Sequence, residues 1–346
     1  MKKTLNNPQL TRDDSTYQFP GTAFRKLLFH NQRGIALITV IIIIVILIAV
    51  VTELNRASRD DVYDAANLSD SIKLTYIAKS GFYGAIALLA NANNDYTTLN
   101  DDWAHAEFLS QKSTGLFPDG YFIVKIEDET GKIPINKLVK GSDYDPNIKD
   151  MLIRLLSQKE FGLNEEKIYE IVDSIKDWID ADDEFTGEGA ENSYYSSLDS
   201  PYKAKNSPID CIEELLMVKG VTKELFYGTK EKAGLALYIT ADSDGMININ
   251  TASQMVLRSL IEDMDSEKAD SMDKYRQKEG SELSNILWYK QVPGMENVEI
   301  KPELITIKSN YFKIISSGKM KNMTKSLSGV AFKSGPNVQT IRWRLD

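Results

Sequence analysis

Cysteine is nearly absent from this 346-residue chain. Cys211 stands alone, so no disulfide can form within the molecule and any cross-link must be of another kind. Histidine is almost as scarce: His30 and His105 lie on opposite sides of a long apolar segment, which argues against Ser/His/Asp, Cys/His and multi-histidine zinc chemistry. Basic charge is also in deficit, with 41 Lys and Arg against 50 Asp and Glu and a net charge of −9. The deficit is uneven. Residues 1–34 hold Lys2, Lys3, Arg12, Arg25, Lys26 and Arg33 against Asp13 and Asp14, so they carry +4 and everything after them carries −13. A surface that acidic repels nucleic acid and suits cations. At 42% apolar and 26% charged, the composition is that of a folded protein with one large domain or two ordinary ones.

Aliphatic side chains are abundant in one place. Residues 35–51, IALITVIIIIVILIAVV, are seventeen positions without a charge, roughly 25 Å long as a helix. Arg25, Lys26 and Arg33 precede the run and Glu53 follows it, which predicts a single membrane pass with a cytoplasmic N-terminus and an exported acidic part. Val50-Val51-Thr52-Glu53 offers no small-residue cleavage site, so loss of the run on export is not expected. On its near side stands Gln32-Arg33-Gly34. One reading is a plain signal anchor. The other is that this junction resembles that of type IV prepilins and pseudopilins. That resemblance implies cleavage by a prepilin peptidase after Gly34 and methylation of the new N-terminus at Ile35. Most pilins carry Glu at the fifth mature position, where this chain has Thr39. A carboxylate in hydrocarbon needs a partner, which in a pilus is a neighbouring subunit's N-terminal amine. Thr39 can bond to its own helix's carbonyls instead, and the missing acid resembles the K-type minor subunit, which has nothing stacked above it.

Beyond the apolar run, Ala65, Ser69, Ile72, Tyr76, Ser80, Tyr83, Ala87 and Ala90 recur at helical spacing, and no proline follows until Pro118. This predicts one helix over about 35–92, with Gly81 and Gly84 admitting a closely packed sheet and Asn91, Asn93 and Asn94 supplying the stop. Residues 121–127 read as a strand, 128–131 as a turn and 132–136 as a return strand, a hairpin with Pro134 at an edge or bulge. Helical periodicity covers 148–180, with further helical candidates at 209–227 and 251–263. Strand-like runs return at 311–316, 327–332 and 340–345. A helical block between two β-rich parts predicts an all-α domain inserted into a pilin-like α/β (α+β) fold, a long helix packed on an antiparallel sheet.

Seven carboxylates fall within residues 177–195, DWIDADDEFTGEGAENSYY. Their mutual repulsion is costly unless they stay in water or share a hard cation, and Ca²⁺ accepts six to eight oxygens in flexible geometry where Mg²⁺ demands an octahedron. A solvated acidic loop is the plain alternative. Trp178, Phe185, Tyr194 and Tyr195, interleaved with the acids, tie the loop to a core. The spacing is not that of an EF-hand. DWIDADDE followed by GAENSYY resembles the signature of the general secretion pathway protein K family, whose members carry calcium in this inserted domain. The resemblance implies Asp180, Asp182, Asp183 and Glu191 as ligands, with Glu188 and Asn192 as further candidates, and assigns Trp178 and Tyr195 to packing.

Residues 213–222 read as helix, glycine turn and helix, and Asn250 or Thr251 is expected to cap another helix. Both elements resemble helix-hairpin-helix units, so an exported DNA-uptake factor is a rival function, opposed by the −13 charge. A calcium-dependent hydrolase is a third, opposed by acids that cluster as ligands do. The resemblance to the K family spans nearly the whole chain and organises it as a leader (1–34), a membrane half-helix (35–52), a pilin-like helix with first strands (53–138), an inserted helical domain (139–305) and C-terminal strands (306–346). It implies a non-enzymatic subunit at the tip of a type II secretion pseudopilus that takes part in exporting folded proteins across the outer membrane. Its implied partners are I- and J-type minor pseudopilins and the major pseudopilin, with no nucleic acid.

Overall fold

The computed structural model describes residues 32–92 and 95–345; most of the expected leader, and Asn93 and Asn94 of the expected helix stop, lie outside them. The chain divides into two units, Met1–Leu68 and Ser69–Asp346. In the first, the described residues form part of one helix, α1 (Gln32–Asn91), which runs without interruption as the missing prolines require. Its apolar run, which is long and apolar enough to cross a membrane, is exposed throughout. Thr39 donates its hydroxyl to the Ile35 carbonyl at 2.9 Å and Thr52 to that of Ile48 at 2.7 Å, so polar side chains in the run are satisfied within the helix.

In the second unit the last turns of α1 bury Leu74, Ile77, Ala78, Phe82, Ala85 and Leu89, a stripe at three- and four-residue spacing. After α2 (Ala106–Ser110) comes β1 (Tyr121–Asp128), and the chain then enters a helical region. That region holds β2 (Ile133–Pro134), β3 (Val139–Lys140), β4 (Asp143–Tyr144), α3 (Pro146–Leu156), α4 (Glu165–Ile179), α5 (Asn192–Tyr195) and α6 (Lys223–Tyr227). It continues with β5 (Ile239–Thr240), β6 (Ile247–Asn248), α7 (Gln254–Ser259), α8 (Ser266–Gln277) and β7 (Ile305–Thr306). The chain ends with β8 (Tyr311–Met320), β9 (Met323–Ser334) and β10 (Asn337–Leu345). The main sheet has the order β1-β8-β9-β10 and is antiparallel throughout, so the strand before the helical region pairs with the strand after it.

The α1 stripe packs on Val124, Ile126, Phe312, Ile314, Leu327 and Ala331, with Trp103 edge-on to Phe312 at 5.3 Å. Gly81 is one place where the helix comes close to the sheet: a Cβ there would meet Ser316 Oγ and lie 2.8 Å from the Phe122 ring. Gly84, also expected to serve that approach, has nothing within 4 Å. Lys333 donates to the Leu89 carbonyl at 2.6 Å and to that of Ala92, so the end of α1 is capped by a lysine from β9 that local sequence could not reveal.

The expected hairpin at 121–136 does not form. Ile133 and Pro134 pair in parallel with Ile239 and Thr240, and the Ile133 N–H donates to the Tyr238 carbonyl at 2.8 Å. Ile133 and Ile135 are fully buried in the core of the helical region, so burying them there outweighs the local turn signal, and that core begins before the expected boundary at 139. The expected N-cap is also displaced: Ser253 caps α7, while Asn250 accepts from Trp288 Nε1 at 2.7 Å and Thr251 donates to Asp128 at 2.5 Å. The segment at 212–217 is a 3₁₀ turn, followed by Gly220 at φ +86° and α6 capped by Thr222.

Asp128, at the end of β1, is buried and joins the two parts. It accepts from Thr130 N at 2.8 Å and from Thr251 and Ser309 hydroxyls at 2.5 Å, while burial pushes its carboxyl above the usual carboxylate range.

Candidate metal centre

Helix α4 begins at Asn164, which caps Lys167 N at 3.0 Å, and its second half is buried on all sides, from Asp173 to Ile179. Acidic residues there cannot turn to solvent, so each must find a partner. Asp177 accepts the Thr186 N–H with both oxygens, at 3.0 and 3.1 Å. Asp173 accepts the Tyr144 hydroxyl on one oxygen and the Glu188 N–H at 3.1 Å on the other. These bonds fold residues 181–190 back over the helix end. Glycine makes the fold possible, since a Cβ on Gly189 would collide with the Asp177 carboxylate. Lys219 holds the outer side of the loop by donating to the Glu188 carbonyl at 2.9 Å. Beneath the loop, Trp178 meets Tyr195 edge-on at 5.2 Å and Tyr195 stacks on Tyr202 at 5.2 Å, the packing role expected for Trp178 and Tyr195.

The returning loop brings Asp180, Asp182 and Glu191 together, each with a carboxylate oxygen within 4.8 Å of the others. Asp180 and Glu191 are 2% and 1% exposed, deep enough that unpaired oxygens are costly. Yet Asp180 Oδ1 and both oxygens of Glu191 have no hydrogen-bond partner among the described residues. Burial, then repulsion from Asp177, Asp180 and Asp183, pushes the Glu191 carboxyl up to about 8. Asp177 rises to about 6, mainly by burial, and Asp180 is raised by burial against the pull of Lys176. Three convergent carboxylates, two of them, Asp180 and Glu191, with orphaned buried oxygens and raised proton affinity, are donors suited to a hard divalent cation.

The other sequence candidates are not in this group. Asp183 is exposed and accepts from Asn192 N at 3.3 Å. The Asn192 side-chain oxygen is taken by Ala204 N at 2.9 Å, and Glu188 is exposed, with its backbone alone engaged. Sequence reasoning passed over Lys176, which pairs with Asp180, and Asn206. At φ +47°, Asn206 donates to the Asp182 carbonyl and keeps a buried side-chain oxygen without a partner. Nothing near residue 206 in the sequence is acidic enough to have drawn attention to it.

A helix with an apolar half, laid on an antiparallel sheet whose first two neighbouring strands bracket a helical insertion with an acidic loop, defines a pilin-like subunit. Two family models described as type II secretion system (T2SS), protein K, match residues 131–229 and 247–308, which cover most of the insertion. The type II secretion system protein K of Pseudomonas aeruginosa is 27% identical over 259 residues, 72% of this chain and 74% of the relative. That of Pectobacterium carotovorum subsp. carotovorum is 24% identical over 328 residues, 90% and 95% of the two chains. A chain in the crystal structure of the GspK-GspI-GspJ complex from the enterotoxigenic Escherichia coli type 2 secretion system superposes with a TM-score of 0.66 at 19% identity. The match covers 82% of this chain and 99% of that one. The family models and the relatives agree: this chain is similar to type II secretion system protein K, a minor pseudopilin.

Proposed function

We propose that this subunit sits at the tip of the pseudopilus, anchored in the inner membrane by residues 35–51 with its acidic head in the periplasm, and takes part in moving folded proteins across the outer membrane. The observation that carries this reading is the helical insertion between β1 and β8, a bulk on the head that would hinder another subunit from stacking above it. Its I- and J-type partners are those suggested by the complex in which the structural relative was solved. The major pseudopilin and the prepilin peptidase follow from the reading as a processed pseudopilin, with cleavage between Gly34 and Ile35 and methylation of Ile35. The role is structural, since carboxylates that converge on one centre do ligand chemistry.

The acidic loop in this reading is a calcium site held by Asp180, Asp182 and Glu191, supported by their convergence and by the orphaned oxygens of Asp180 and Glu191. Asp183, Glu188 and Asn192 shape the loop around it. The ion would neutralise the buried carboxylates and staple the loop to α4, taking the place of the disulfide that Cys211 alone cannot form. N-terminal sequencing of the protein from membranes tests the anchor: a methylated Ile35 is expected, and a freely soluble protein that retains Met1 would sink it. Co-purification with the I- and J-type pseudopilins tests the assembly, and failure to form that complex would remove the tip role.

A further inference from the structure

The loop holds a cation of its own. Lys176, on the last turn of α4, is 7% exposed at its side chain and pairs with the fully buried Asp180 side chain one turn later. Its ammonium also donates to Thr186 Oγ1 at 2.8 Å and lies 5.7 Å from the centre of the Tyr144 ring. A buried lysine is expensive and persists only where negative charge surrounds it. Asp180 is thereby divided, with Oδ2 on Lys176 and Oδ1 left without a partner among the described residues. When ionised, the three carboxylates and one ammonium leave this group at −2, the charge a single divalent ion cancels.

We infer that Lys176 is the built-in counter-cation of the acidic loop, an orienting residue that neutralises Asp180 before any ion arrives, holds the loop folded and sets the charge the ion meets. This rests on the calcium reading above. Thr186, the second partner of the ammonium, is itself bound to Asp177 through its N–H, so Lys176 links the helix end to the returning loop without any metal. Because Asp180 accepts the ammonium on one oxygen and has the other to spare, lysine and ion can share it. The ammonium then repels the ion while fixing the ligand. The consequence is a site kept weaker than three carboxylates alone would make it but already shaped in the calcium-free protein.

The test is calcium titration by calorimetry, with thermal melting in calcium and in chelator, on the full-length protein in detergent. Lys176→Met is expected to lower the melting temperature in chelator and to bind calcium about ten-fold more tightly, because a repelling charge close to the ion is gone. Lys176→Arg keeps the charge and is expected to stay within about three-fold of the original affinity. If Lys176→Met binds calcium no more tightly, or does not fold even in millimolar calcium, the inference is overturned. An arginine variant that tightens as much as the methionine one also overturns it, since charge is then not the cause. An original protein that binds no calcium removes the metal reading itself, an outcome distinct from a calcium-binding protein whose affinity ignores Lys176.

Discussion

The sheet core and the acidic loop belong to the same unit but are held by opposite physics. Around Phe312, Ile314, Phe82 and Leu89 the chain buries apolar surface against backbone approach, and hardly any charge is involved. Around Asp177, Asp180 and Glu191 it buries charge, which favours folding only when another charge or a proton arrives. The first kind of core is expected to be indifferent to calcium and weakly dependent on pH; the second, under the proposed calcium reading, is expected to depend on both. Under the proposed function, the scaffold would be permanent while the inserted part would respond to its ionic surroundings.

The comparison is broken most severely from the sheet side. Phe312→Ala removes a fully buried ring and is expected to cost about 3–5 kcal/mol by denaturant unfolding, equally with calcium or chelator. A difference between the two conditions would mean that the regions are not independent. From the loop side, calcium at a hundred times its dissociation constant should stabilise the protein by about 2.7 kcal/mol, and Glu191→Gln should abolish most of that gain. A variant that keeps the full shift in melting temperature would remove Glu191 from the site.

The pH dependence sharpens the contrast. In calcium-free folded protein burial holds the Glu191 proton up to about pH 8, whereas an ordinary glutamate releases it near 4.5. Between those values the folded state binds more protons than the unfolded one, so stability falls as pH rises through that window. The fall is complete above about pH 8. Glu191→Gln should flatten the slope in chelator, and calcium should oppose it by favouring the ionised form; melting temperatures across pH 5–8 check both. The smallest effect expected is Lys333→Met, which uncaps α1 and should cost about 1 kcal/mol with no calcium dependence.

Legibility in the sequence followed the range of the interactions. The strand runs expected at 311–316, 327–332 and 340–345 fall inside strands 311–320, 323–334 and 337–345, and the helical periodicity over 148–180 falls on helices 146–156 and 165–179, because periodic burial is written along the chain. Helix α8 was missed: its residues are mostly polar, with Ala269 and Met272 among the few that face the core. The hairpin at 121–136 was misread because Pro134 and its neighbours find their partners at Ile239 and Thr240, a pairing no local pattern announces. In the acidic loop three of the four ligands expected from the sequence, Asp180, Asp182 and Glu191, lie close together, whereas Asp183, Glu188 and Asn192 have their binding atoms exposed or committed to backbone partners.

Composition and order alone determined that this protein has an apolar helix fit for a membrane, a helical block between β-rich ends and an excess of acid in one short stretch. These depend on side chains close together in the chain. The folded structure alone decided which carboxylates share a centre, that Lys176 sits among them, and that Lys333 closes the long helix. Contacts between distant residues depend on how whole elements pack, and charge acquires its cost only once packing has excluded water.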